Sequence, residues 1–218
     1  MNRMNDLNCL LAEKLVEDIK KDHEASGIAV AIIDKSGKTQ YEKFWGVRDL
    51  ESGKEVNGDT IFGLASVTKS FTALSIMQLE EKGIIDLDAP ISQYIPEFTN
   101  KNQSKKVTVR HLLSHAGGFF PLPRILVGNV AESLGLDEEK DGDFAYNDAV
   151  AQEGVKLVAE RLDAQTKENG LNGQPGEYLS YCNDGFGLLS DIIRRYGGEP
   201  SYADYLVKHG VPFRDAHG

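Results

Sequence analysis

Residues 62–98 read FGLASVTKSFTALSIMQLEEKGIIDLDAPISQYIPEF, and this stretch decides the fold. From Ser66 onward the pattern is helical. Phe71, Leu74, Ile76, Met77 and Leu79 leave little polar surface after the first turn. A helix of that kind is expected to be central and buried. Gly83 stands where a left-handed residue ends a helix. The remainder, LDAPISQYIPEF (87–98), is a loop punctuated by Pro90 and Pro96. The first turn carries Ser66-Val67-Thr68-Lys69, an S-x-x-K tetrad. Residues three apart share a helix face, so the Ser66 hydroxyl and the Lys69 amine can meet.

That meeting has chemical meaning. A serine hydroxyl is a poor nucleophile until a neighbour takes its proton or stabilises the alkoxide, and an amine whose pKa falls on burial can do both. The helix N-terminus adds positive potential and outward N–H groups at Ser66. Taken alone the tetrad is equally a serine cap followed by a surface lysine. The apolar helix behind it makes a lysine at this position unusual, because lysine is seldom buried without a partner.

A second element lies downstream. ENGLNGQPGEYLSYCND (168–184) is dense in turn residues and contains Tyr181-Cys182-Asn183. In an extended segment Tyr181 and Asn183 share one face and Cys182 points away. A phenol beside a lysine ammonium has a lowered pKa and can exchange protons with a serine. An asparagine offers a donor and an acceptor to a substrate amide. The structural alternative is a turn tyrosine followed by an Asn cap on the helix GFGLLSDIIRRYGG (185–198).

Elsewhere the chain alternates clearly between helix and strand patterns. Leu7, Leu10, Leu11, Leu15 and Ile19 predict an amphipathic helix over 5–21. GIAVAIID (27–34) and TQYEKFWGV (39–47) flank Lys35-Ser36-Gly37-Lys38 and predict an antiparallel hairpin. Thr108 is a candidate N-cap for VRHLLSH, closed by Gly117 and Gly118. Residues 119–146 read as loop, with the acidic run DEEKDGD taken as a solvated face. Helices are expected from about 147 to 163 and, capped by Ser201, over YADYLVKHG (202–210).

The bulk numbers bound the function. The chain has 218 residues, 27% charged and 40% hydrophobic, which suffices for a buried core. Its net charge of −10 argues against nucleic acid or an anionic membrane as partner. No apolar run reaches the ~20 residues that span a bilayer. Charges interrupt the N-terminal apolar residues before any signal-peptide core forms, so a cytoplasmic location is expected. Cys9 and Cys182 are expected to be free thiols. His111 and His115 form an i,i+4 pair without a nearby HExxH glutamate, so no metal is expected. No cofactor is expected either.

Together the two motifs and their surroundings resemble the penicillin-recognising serine hydrolases: class C β-lactamases, D-alanyl-D-alanine carboxypeptidases and related esterases. The 62–98 stretch looks like that family's nucleophile helix and following loop. VTVRHLLSHAGG (107–118) is similar to its helix ending in a His-x-Gly-Gly-like turn. PGEYLSYCNDGFGLLSDIIRRYGGEPSYADYL (175–206) is similar to its Y-x-N block. The resemblance implies an α/β fold of α+β type, serine β-lactamase/transpeptidase-like. An antiparallel sheet with flanking helices (1–58) would adjoin a mostly helical region (59–218), with the site between them. It implies that Ser66 forms an acyl-enzyme, that Lys69 and Tyr181 share general base and acid work, and that Asn183 orients the substrate. The Ser66 N–H would donate to the oxyanion. The substrate would be an ester, a D-amino-acid amide or a β-lactam.

The chain departs from the family in one respect. The K-T-G or H-x-G motif that should follow the Y-x-N block is absent, and ADYLVKHGVPFRDAHG (203–218) does not continue as the family usually does. The expected sheet is therefore incomplete, with an open edge that invites self-association. A second expectation follows: a fragment that binds or acylates without turnover.

Overall fold

The computed structural model describes residues 6–23, 25–123, 127–143, 147–168 and 170–209. They fall into two compact units that meet in sequence at Gly63 and Leu64.

The first unit holds α1 (Asp6–His23), β1 (Gly27–Ile33) and β2 (Thr39–Gly46). The strands pair antiparallel from Gly27 opposite Gly46 to Ile33 opposite Thr39, with a register shift at Ile32/Ile33. Asp34 builds the turn. Its Oδ1 accepts the Ser36 and Lys38 N–H groups at 2.8 and 3.1 Å, and Gly37 takes the left-handed conformation at φ 81°. The hairpin therefore matches the sequence reading. The apolar stripe of α1 does not behave as read: Val16 is buried, whereas Leu10, Leu11 and Leu15 are exposed. The Leu7 and Cys9 side chains lie outside the described residues. Glu13 of α1 pairs with Lys43 of β2.

The second unit is helical. A 3-10 turn, Ala65–Val67, leads into α2 (Thr68–Glu81). After a further 3-10 turn at Ile91–Gln93 come α3 (Val109–Leu113), α4 (Val127–Ser133), α5 (Glu138–Asp141), α6 (Asp148–Asp163), α7 (Asn183–Tyr196) and α8 (Tyr202–His209). The segment read as loop over 119–146 thus contains two short helices. Val130 and Ala131 of α4 bury against Val150 of α6, so a few apolar contacts suffice where periodicity is too brief to read. Amphipathic α7 is central and packs on α2, α3, α6 and α8. Its Leu188, Leu189, Ile192 and Ile193 join Ile76, Leu79, Ile95, Phe98 and Tyr205 in one core. The C-terminal stretch from residue 210 lies outside the described residues.

Two boundaries differ from the sequence reading in ways that shape the site. Helix α2 is buried on one side only. Thr72, Ser75, Ile76 and Leu79 face the core, while Leu74 and Met77 are exposed. Periodicity predicts a helix but not how many of its faces are covered. Helix α7 begins at Asn183 rather than after it, with Cys182 as an extended N-cap at φ −129°, ψ 112°.

Candidate active site

The nucleophile turn is locally forced. Ala65 sits at φ 44°, a conformation that an L-residue adopts only at a cost of about 1 kcal/mol or more. The chain then enters the 3-10 turn that carries Ser66. Lys69 follows one turn later, in the first turn of α2. The Lys69 Nζ donates to Ser66 Oγ at 3.2 Å.

Tyr181 reaches the same oxygen from 115 residues away: its phenol and Ser66 Oγ lie 2.7 Å apart. The Lys69 ammonium stands 4.9 Å from the centre of the Tyr181 ring and 5.6 Å from that of Phe186 in α7. Lys69, and after it the Ser66 hydroxyl, hold the Tyr181 phenol below its ordinary pKa of 10.0 by favouring the phenolate. Ser66 and Tyr181 are exposed and Lys69 is half-buried. This corrects the expectation of a buried cluster. Leu64 and Val67, which flank the serine, are themselves exposed, so within this unit that side of the turn is uncovered.

The segment before α7 alternates as an extended chain should. Leu179, Tyr181 and Asn183 are exposed, Cys182 is buried and Ser180 is half-buried. Asn183, also exposed, belongs to the first turn of α7. Cys182 is a free thiol that burial pushes up to about 11. Ser180 Oγ donates to the Phe119 carbonyl at 2.7 Å.

The turn after α3 organises this segment. Thr108 caps α3, and His111 closes a capping box in which its Nδ1 accepts the Thr108 N–H at 3.1 Å. The helix ends on His115, left-handed at φ 54°, rather than on a glycine; Gly118 supplies a second left-handed residue at φ 80°. The turn is laced to the downstream loop through main-chain groups. The Gly176 N–H donates to the Ala116 carbonyl at 2.8 Å, Asn172 to Gly118 at 2.9 Å, and Ser180 to His115 at 2.8 Å. A Cβ on Gly118 would stand 2.4 Å from the Gly173 carbonyl oxygen, so only glycine fits.

His115 also lies against the cluster. Its ring centre is 4.3 Å from that of Tyr181 and 5.1 Å from that of Phe186. Its Nδ1 accepts the Cys182 N–H at 3.2 Å. Burial, then the Lys69 charge, hold His115 below the ordinary imidazole range. Sequence reasoning gave His115 and Phe186 no place in the site. Neither stands at a spacing that links it to the S-x-x-K tetrad or to Tyr181. The one available signal was a histidine at a helix end followed by two glycines.

The profile of the beta-lactamase family matches residues 12–209. The chain belongs to the beta-lactamase family. It is 31% identical over 192 residues to esterase EstB of Burkholderia gladioli, covering 86% of this chain and 46% of that protein. It is also 31% identical to a penicillin-binding protein of Bacillus subtilis (strain 168), covering 89% of this chain and 37% of the relative. Among solved structures it is similar to the octameric penicillin-binding protein homologue from Pyrococcus abyssi, with a TM-score of 0.69 and 30% identity over 90% of this chain and 40% of that one. The Pseudomonas syringae beta-lactamase/D-alanine carboxypeptidase shares the fold, with a TM-score of 0.68 at 22% identity. This member of the beta-lactamase family thus has the β-lactamase/transpeptidase-like fold and spans less than half the length of these relatives. Its two-stranded sheet is partial beside their full-length structures.

Proposed function

We propose that this chain carries the acyl-transfer centre of a serine hydrolase that acts on an ester, a D-amino-acid amide or a β-lactam. One observation carries the reading: a hydroxyl, a phenol and an amine share one point, with Ser66 Oγ 2.7 Å from Tyr181 and 3.2 Å from Lys69. These are hydrogen-bond distances for a nucleophile with its base.

The steps follow from that arrangement. Ser66 Oγ attacks the substrate carbonyl carbon while its proton passes to the Tyr181 phenolate, which the Lys69 ammonium stabilises. The tetrahedral oxyanion collapses, the leaving group takes the proton from Tyr181, and the acyl group stays on Ser66. Water attacks this ester with the same phenolate as base, and Ser66 is released with its proton restored. The Ser66 N–H, in the 3-10 turn that leads into α2, is the candidate donor to the oxyanion. Asn183, exposed at the start of α7, is the candidate to bind the substrate amide.

A second reading has its own support. Ser66 and Tyr181 stand in the open, and the matches cover less than half the length of the related proteins. Under that reading the chain binds substrate, or acylates without turnover. Intact mass after exposure to a fluorophosphonate and to a penicillin, with p-nitrophenyl ester turnover, separates the two. Adducts on wild type but not on Ser66→Ala, with continued ester release, fit the hydrolase. One equivalent of product and no more fits the second reading. No adduct with any acylating probe ends the hydrolase reading and leaves a fragment that only binds.

A further inference from the structure

His115 is held in place from several sides. Its carbonyl accepts the Ser180 N–H at 2.8 Å and its Nδ1 accepts the Cys182 N–H at 3.2 Å. These two donors bracket Tyr181 in the chain. The imidazole ring lies against the phenol ring between them at 4.3 Å, and on Phe186 at 5.1 Å. One residue therefore grips the segment before Tyr181, the segment after it, and the ring itself.

We propose that His115 is the positioning residue of the Tyr181 phenol, and that it acts only as the neutral imidazole with Nδ1 unprotonated. The inference rests on the acyl-transfer reading for its kinetic consequence, though not for its geometry. An Nδ1 that accepts an N–H carries no proton, so the ring proton sits on Nε2. Protonating Nδ1 turns this acceptor into a donor facing another donor. The Cys182 N–H loses its partner, and a second cation appears beside Lys69.

The surrounding groups oppose that protonation. Lys69 approaches from α2 as a cation. Tyr181 lies against the ring without charge at mildly acidic pH, and Cys182 meets it through its main-chain N–H. The Asp184 carboxylate, at the start of α7, is engaged by the Leu122 N–H at 2.9 Å and by Cys182 Sγ at 3.5 Å. His111, four residues back on α3, turns its own Nδ1 to the Thr108 N–H. The geometry thus favours the neutral ring, in keeping with the lowered basicity of His115.

Two variants test the role. His115→Asn puts an amide oxygen near the place of Nδ1 and tolerates the left-handed backbone. His115→Leu removes the acceptor. The acylation rate of Ser66 with a fluorophosphonate is followed against pH, with circular dichroism and Tm to check the fold. In wild type the logarithm of the rate climbs with unit slope through the phenol titration and steepens toward a slope of two at a pH below the ordinary imidazole value, where His115 protonates. His115→Asn keeps the unit slope throughout and stays within about tenfold of wild type. His115→Leu, where folded, loses about a hundredfold. Steepening that persists in His115→Asn overturns the proposal, as does a folded His115→Asn as slow as His115→Leu.

A readout independent of acylation accompanies this. Nitrogen-15 chemical shifts of His115 are expected to show an unprotonated Nδ1 at pH 7.5, with the Tyr181 ring signals moving as His115 titrates. A proton on Nδ1 at that pH, or Tyr181 signals that ignore the titration, overturns the proposal even if wild type is never acylated. Absence of acylation together with the expected shifts condemns the hydrolase reading and leaves the positioning role standing.

Discussion

Tyr181 is where the chemistry is most exposed to test at the scale of one residue. Its phenol is the base in the proposed cycle, and Lys69 and Ser66 favour its anion. The fraction of active base grows as pH rises through a pKa lying below 10.0, so acylation rises with pH there and levels off above it. Stopped-flow acylation is expected to show that limb in wild type and to lose it in Tyr181→Phe, with a rate about 10²–10⁴-fold lower. A flat wild-type profile over the accessible range excludes the phenol as base. The Ser66–Lys69 relation was legible from spacing alone, because three residues along a helix fix which side chains meet. The Ser66–Tyr181 relation was not fixed by spacing. It was reached by way of family resemblance, since 115 residues separate the two and no local pattern encodes their approach. His115 was missed for the same reason: a stacked ring is a tertiary contact.

At the scale of elements, the turn from His115 to Gly118 sets the position of the whole Tyr181 segment. Gly118 is its least replaceable member, being left-handed and 2.4 Å, at a virtual Cβ, from the Gly173 carbonyl. Gly118→Ala is expected to cost about 2–4 kcal/mol in urea unfolding and to slow acylation by displacing the loop. A variant of wild-type stability and rate contradicts the close approach. The hairpin, α3 with its Thr108 cap, α6 and α8 were readable because caps, turns and periodicity are local. The two short helices within 119–146 were not, since four to seven residues hold too few apolar positions to reveal a period. The first turn of α7 was read as extended because Asn183 serves equally as a strand neighbour of Tyr181 and as a helix start.

Acid stability belongs to the whole molecule. His111 and His115 are both held below the ordinary imidazole value, each mainly by burial. As the pH falls below about 6.5, the unfolded chain binds protons that the folded chain resists, and stability declines. Above that pH both states are neutral at these rings and the contribution is constant. Tm is therefore expected to drop as the pH falls below the ordinary imidazole value of about 6.5, and the drop to shrink in His111→Asn. An identical slope in that variant removes His111 from the account. Hydropathy was a poor guide to burial in both units. Leu10, Leu11 and Leu15 of α1, and Leu74 and Met77 of α2, follow helical spacing yet stay exposed. Spacing fixes which residues share a face; only a packed neighbour decides whether that face is dry.

The lacing between the 115–120 segment and the 170–182 loop draws mainly on the loop's backbone: the Asn172, Gly176, Ser180 and Cys182 amides and the Gly170 carbonyl, which accepts the Phe120 N–H, joined by the Ser180 hydroxyl on the Phe119 carbonyl. Every amino acid except proline brings the same amide. Exposed positions such as Tyr178 and Leu179 can therefore be rewritten freely, and a library randomised there would sample new preferences around a reacting centre that does not move.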